Sequence, residues 1–345
     1  MSSRIKIKYK TIAISIILGI LFLYLSVKDL HWKHVKASLS LFNLKAVFFF
    51  FFLQFLMIFF RGGRWYFLVK QLPGPERNFL QIFKASITGF AAILIFPFRL
   101  GEFIRPLLLA SPKNTCQPRK SFSALFGTII VERITDGLLI SSLLILTFFW
   151  FINPDTLWLL YISLIAASFF LLALVILFLS IFFPAQTLVI IKKFTFINYF
   201  SKKSILLQRA SSKFSRIYHG ILQGFSTVKK PRLFTIFLLM TTAYWAVNWL
   251  SIYYLAQMFR LDLPPAGALF VLGFSVIGIF IPSPPGHIGN FDYFALLGLS
   301  ICITQSRLQG AGIVFVFSLH LFQLLAYLTG GLVGLLAKSY KLPEN

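Results

Sequence analysis

Residues Ile279–Phe294 read "IFIPSPPGHIGNFDYF" and interrupt an otherwise apolar chain. Prolines 282, 284 and 285 and glycines 286 and 289 fall between "LFVLGFSVIG" and "ALLGLSICI", two stretches whose composition suits hydrocarbon. Backbone amides and carbonyls freed by such a break cannot face lipid, where each unsatisfied group costs several kcal/mol. They have to line a cavity or be buried in protein, and His287 and Asp292 stand beside them.

The rest of the chain sets the class. Of 345 residues 58% are hydrophobic and 12% charged, a balance outside that of soluble domains. The expected fold is all-α, a polytopic helical membrane protein. A helix needs roughly 20 apolar residues to cross about 30 Å of hydrocarbon. Six segments read as full spans: Thr11–Lys28, Leu44–Phe60, Ala124–Phe151, Leu157–Phe183, Leu233–Met258 and Leu308–Ala337. Two further stretches, Phe79–Ala110 and Pro265–Ile303, carry proline-bearing breaks, "FPFRLGEF" and "PSPPGHIGNFD". Both are expected to be re-entrant helical hairpins, with two short spans each as the alternative.

Basic residues give the expected orientation. The N-terminal tail holds Arg4, Lys6, Lys8 and Lys10, and residues 184–232 hold ten lysines and arginines, from Lys192 to Arg232, without an acid, so both are expected in the cytoplasm. The even span count brings the C-terminal "KSYK" to the same side, with the first hairpin opening from the cytoplasm and the second from outside. Lys28, Lys33, Lys36 and Lys45 run against this count. Residues 44–151 and 233–337 thus repeat a span, hairpin, span order in opposite sense within one membrane domain covering 1–345. Inverted repeats of this kind build many transporters; no residue-level similarity joins the halves, so an accident of hydropathy stays open. Residues 184–232 mix apolar and basic residues at helical spacing and read as one or two amphipathic helices on the inner leaflet.

Several functions are excluded by motif. There is no G-x-x-x-x-G-K-[ST] phosphate loop and no H-E-x-x-H. The net charge of +24 comes without a basic–aromatic nucleic-acid module, so anionic lipid rather than nucleic acid is the expected counterpart. His31 and His34 read as interfacial, Cys116 and Cys302 as unpaired, and no cofactor or metal is expected. The N-terminus shows no cleavable signal.

The candidate site residues are the charges within or beside apolar segments, which are rare in membranes and tend to face cavities. Arg61 and Arg64 occur in "FFRGGRWYF" and, taken alone, read as anchors on the cytoplasmic side with Trp65 and Tyr66 as interface aromatics. Arg99, Glu102 and Arg105 lie in the first break; Glu102 and Arg105 at i, i+3 are expected to pair, leaving Arg99 to hold an anion. Glu132 and Asp136 at i, i+4 share a helix face beside Arg133, either as a salt-bridge cluster that fixes the first hairpin or as one that also handles substrate or coupling ions.

In order and spacing "RGGRW", "PFRLGEFIRP", "VERITDG" and "PSPPGHIGNFD" resemble the lysylphosphatidylglycerol synthase transmembrane-region family, also called flippase-like membrane proteins. The last motif resembles P-x-x-P-G-x-x-G-x-x-E and reads here Pro282, Pro285, Gly286, Gly289 and Asp292, with aspartate where glutamate is more usual. The resemblance implies a membrane domain that moves an aminoacylated phospholipid between leaflets, beside a soluble transferase for which this chain has no room. Movement of a phospholipid or lipid-linked headgroup, in the inner (plasma) membrane and without covalent catalysis, is the expected function. A membrane enzyme acting on a lipid-linked phosphate through His287 and Asp292, or an accessory subunit of a partner synthase, are the alternatives; homo-oligomerisation stays open.

Overall fold

The computed structural model describes residues 9–28, 38, 40–96, 99–110, 121–148, 157–194, 205–281 and 284–336. The basic N-terminal tail, His31, His34, Cys116, Pro282 and the stretch from Lys338 lie outside them. Twelve helices account for most of the described residues: α1 (Tyr9–Val27), α2 (Leu44–Val69), α3 (Phe79–Ile95), α4 (Gly101–Leu109), α5 (Phe122–Phe148), α6 (Leu157–Phe182), α7 (Pro184–Phe194), α8 (Ile205–Phe225), α9 (Pro231–Met258), α10 (Pro265–Phe280), α11 (Asn290–Ser300) and α12 (Gln305–Leu336). The chain is a polytopic helical membrane protein.

Four helices, α2, α6, α9 and α12, are long and apolar enough to cross a membrane by length and composition alone. The six expected spans exceed this number for two physical reasons. Helix α5 has 27 residues, enough length, but carries Glu132, Arg133 and Asp136 at its middle. Helix α1 has 19 residues, about 28 Å at 1.5 Å each, and is marginal in length. Helix α2 in turn runs well past Phe60, because Arg61 and Arg64 stay in the helix and turn inward. The outer face is apolar: on α6, Ile165, Phe169 and Leu172 are each more than half exposed, which suits contact with acyl chains and not with water.

Local signals set the hairpin ends. Asn78 Oδ1 accepts from the Gln81 amide at 2.8 Å while Gln81 Oε1 accepts from the Asn78 amide, a capping box that starts α3. Pro231 and Pro265 open α9 and α10, where a missing amide hydrogen costs nothing. Both hairpins fold back on themselves. Gly89 and Gly101 face Arg105 and the Ala92–Ile93 backbone, so α3 and α4 run antiparallel; Gly278 against Asn290 and Gly298 against Phe270 do the same for α10 and α11. Interfaces in lipid gain from close backbone approach more than from burial, and Gly101 sits so near the Ala92–Ile93 backbone that no Cβ fits.

The two units meet as counterparts of opposite sense. Helices α2 and α9 are antiparallel, with Gln54 Nε2 donating to Ser251 Oγ at 2.9 Å near one end and Arg64 donating to Thr241 Oγ1 at 3.2 Å near the other. The first hairpin then packs on the last helix of the second unit, Gly331 and Gly334 of α12 against Ala91 and Ile87 of α3. The second hairpin packs on the last helix of the first unit, Gly273 against Leu144 and Phe270 against Phe148 at 4.8 Å. Each hairpin thus packs on the last helix of the other unit. Helix α8 is only partly the surface helix expected: Gly220 and Gly224 seat it closely on Ser123, Ala124 and Gly127 of α5.

Candidate functional site

The centre of the molecule is a buried ionic network. Glu132 of α5, fully buried, accepts from Arg64 of α2 at 2.9 Å, Arg105 of α4 at 3.0 Å and Arg133 at 2.6 Å. Asp136, one turn on, accepts from Arg64 through both oxygens, 2.6 and 2.7 Å, and from Trp245 Nε1 of α9 at 2.9 Å. Arg64 and Arg105 have no exposed surface, and Arg105 stacks over Trp65 at 4.3 Å. Bidentate arginine–carboxylate pairs of this kind can repay part of the desolvation of the two charges. The network ties α2, the first hairpin, α5 and α9 together, as the shared face of Glu132 and Asp136 led one to expect.

Two details differ from the sequence reading. Arg105 does not pair with Glu102. Helix α4 begins at Gly101, so Arg105 points across to α5 and reaches Glu132, while Arg99, turned back by a left-handed backbone (φ 56), pairs with Glu102 at 2.7 Å. Arg64 and Trp65 are likewise not interfacial anchors. Both are fully buried, and Trp65 Nε1 donates to Thr128 Oγ1 at 2.9 Å. Of the arginines 61, 64, 99, 105 and 133, Arg61 is the one with no carboxylate in ion-pair range among the described residues; it donates to Tyr327 Oη and lies over the Phe90 ring at 4.3 Å.

Beside this network lies a cavity of about 110 Å³, lined by both charged and apolar side chains, with room for several waters. Arg61, Arg99, Arg133 and Asp136 reach it from the first unit, and Gly286 and His287 from the second break. Both breaks thus open on one space. The others stand behind it: Arg64, Glu102, Arg105 and Glu132 in the network, and Gly289 and Asp292 under the second break. Pro285 is exposed. The sequence reading missed Tyr244 and Asn248 of α9 and His320 and Tyr327 of α12, which complete the wall. A histidine inside an apolar span is the signal that could have found His320.

The second break is wound tightly. Gly286 (φ 69), His287 (φ 57) and Gly289 (φ 84) are left-handed, a conformation that strains a non-glycine residue. Asp292 in the first turn of α11 accepts from the Gly289 amide at 2.9 Å and pairs with His320 Nδ1 at 2.8 Å. Its partner is therefore His320 and not His287. A second, apolar cavity of about 380 Å³ lies between α5, α6 and α10, and Val276 and Phe280 border both spaces. Among the described residues no three His, Cys, Asp or Glu side chains gather as metal ligands.

No match was found among curated proteins or among solved structures. A family model described as the lysylphosphatidylglycerol synthase TM region matches residues 12–331, nearly the whole chain, and the protein belongs to that family.

Proposed function

We propose that the protein moves an anionic phospholipid or lipid-linked headgroup between bilayer leaflets, with the arginine-lined cavity as the headgroup site. The observation that carries this reading is the charge imbalance around that cavity. Five arginines, 61, 64, 99, 105 and 133, face three carboxylates, Glu102, Glu132 and Asp136, leaving two positive charges in excess. Uncompensated charge at membrane depth costs from about 2.5 kcal/mol to over 10 kcal/mol. A phosphate in the cavity would neutralise it, with Arg61 and the free Nε groups of Arg99 and Arg133 as donors.

The apolar cavity that shares Val276 and Phe280 with this site supports a lipid over a free anion, since it offers acyl chains a place beside the headgroup. Helices α4 and α11, of 9 and 11 residues, measure about 14 Å and about 17 Å, too short to cross about 30 Å of hydrocarbon. The hairpins are accordingly read as re-entrant, entering from opposite sides and meeting at the cavity. In this reading the protein sits in the inner (plasma) membrane with both termini cytoplasmic and performs no covalent chemistry.

Lipid-dependent thermal stability tests the site. Anionic phospholipid added to detergent-solubilised protein should raise its unfolding temperature, and zwitterionic lipid should not. Arg61→Ala should weaken the anionic response by about 1.5–3 kcal/mol, one to two orders of magnitude in affinity. An undiminished response in that variant would remove Arg61 from the site.

A further inference from the structure

His320 sits on α12 between two acceptors. Its Nε2 lies 2.8 Å from the Gly286 carbonyl oxygen and its Nδ1 lies 2.8 Å from Asp292 Oδ1. A carbonyl oxygen can only accept, so Nε2 must carry a hydrogen and donate. The Nδ1 contact then requires one more proton, either on Nδ1, making an imidazolium that donates to the carboxylate, or on Asp292, whose hydroxyl donates to Nδ1. Both arrangements leave the pair without net charge. Remove that proton and one of the two contacts sets lone pair against lone pair at 2.8 Å. Phe291 stacks on the ring at 4.4 Å and helps to hold its orientation.

Both contacts end on the strained break. Gly286, next to the left-handed His287, supplies the carbonyl, and Asp292 also accepts from the amide of Gly289, two residues past His287. The same place in the first unit holds a permanent tie. Arg105 of α4 reaches Glu132 of α5 across 27 residues of chain, and Asp292 of α11 reaches His320 of α12 across 28. An arginine keeps its proton and a histidine–aspartate pair does not have to. One hairpin is thus fixed to its neighbouring span, and the other is fixed only while a proton is bound.

From this geometry we infer that His320 and Asp292 form a proton-binding site whose single proton locks the second break to α12, and whose release frees that break to move. The ligand is the proton itself, and the equilibrium is neutral pair plus water against ionised Asp292, neutral His320 and a hydrated proton. The groups that share the adjoining cavity are Arg61 from α2, Arg99 from the first break, Arg133 and Asp136 from α5, Tyr244 from α9, and His287 and Tyr327. Helix α1, which covers Gly289, presents Gly19 and Leu23. Proton release leaves a negative charge behind the wall of the cavity that these arginines line, so it is favoured when no anion fills the cavity. Only this last consequence, which makes the proton the coupling ion, rests on the lipid reading.

The decisive variant is Asp292→Asn. Its amide can donate to Nδ1 while its oxygen accepts from the Gly289 amide, so it copies the proton-bound state and cannot lose the proton. Wild-type and variant protein, purified without added lipid, would be compared in thermal stability and by nitrogen NMR of His320, assigned against His320→Gln. As pH rises across the range in which the protein stays folded, the wild-type His320 resonances should pass through one transition. Thermal stability should fall along with it as the proton leaves. The Asn variant should show neither change in that range. The same transition in both proteins, or none in the wild type, would overturn the proposal. Should the Asn variant not fold, the His320 titration in the unaltered protein decides alone. No lipid enters the measurement, so its failure would leave the headgroup site standing.

Discussion

Replacing Glu132 by Gln tests whether the buried network docks the first hairpin. Glu132 accepts from three arginines within 3.0 Å, and its side chain has no exposed surface. The amide nearly matches the carboxylate in shape but carries no charge, and its NH2 end must face an arginine donor. At an effective dielectric near 20 a single pair at about 4 Å is worth about 4 kcal/mol gross. Asp136 and Glu102 remain to compensate Arg64 and Arg133, so the net loss falls in the range for breaking a buried pair, about 3–5 kcal/mol. With an unfolding entropy of about 2.1 cal/mol/K per residue, the 345 residues place the shift on the order of 5 °C in detergent. Thermal unfolding reads it directly. Adding Arg105→Met should recover part of the loss, since it removes the cation left stranded on α4. A Glu132→Gln protein that unfolds at the wild-type temperature would refute the network's structural role.

Other consequences are as direct. Gly101→Ala drives a methyl group into the Ala92–Ile93 backbone and should destabilise by about 1–3 kcal/mol, whereas Gly330→Ala, whose new methyl meets only Ile58 at 3.9 Å, should be neutral or stabilise slightly; thermal unfolding distinguishes them. Thr128→Val removes the acceptor of the buried Trp65 indole and should cost about 1–3 kcal/mol in the same assay. Cysteines placed at 153 and 211 should differ toward an impermeant thiol reagent on intact cells, with position 153 labelled and 211 protected; the reverse would overturn the orientation.

The legible part of the fold was the part that hydropathy and chain-breaking residues carry. The break in each hairpin was visible because clustered prolines remove amide donors and glycine weakens a helix, and the Glu132–Asp136 pair because i, i+4 spacing fixes a shared face. The partners of those charges were not visible. Arg99 takes the Glu102 partner expected for Arg105, and Arg105 reaches Glu132 instead, because the start of α4 at Gly101 and a left-handed Arg99 set their directions, and neither is a periodicity. Arg64 looked like an anchor because a positive charge after an apolar run usually is one; its burial depends on α5 and α9, which come 68 to 177 residues later in the chain. His320 hid within an apolar span for the same reason, its meaning supplied by Gly286 and Asp292.

The central claim is that lipid headgroups cross through the arginine cavity, and reconstitution tests it most directly. Proteoliposomes carrying fluorescent anionic or zwitterionic phospholipids would be followed by quenching of the outer leaflet, with wild-type, Arg61→Ala and Arg99→Ala protein at equal density. The account predicts movement of the anionic lipid by the wild type, and loss of most of that movement in both folded variants. Unchanged movement in Arg61→Ala and Arg99→Ala, or no movement of any lipid by the wild type, would contradict it.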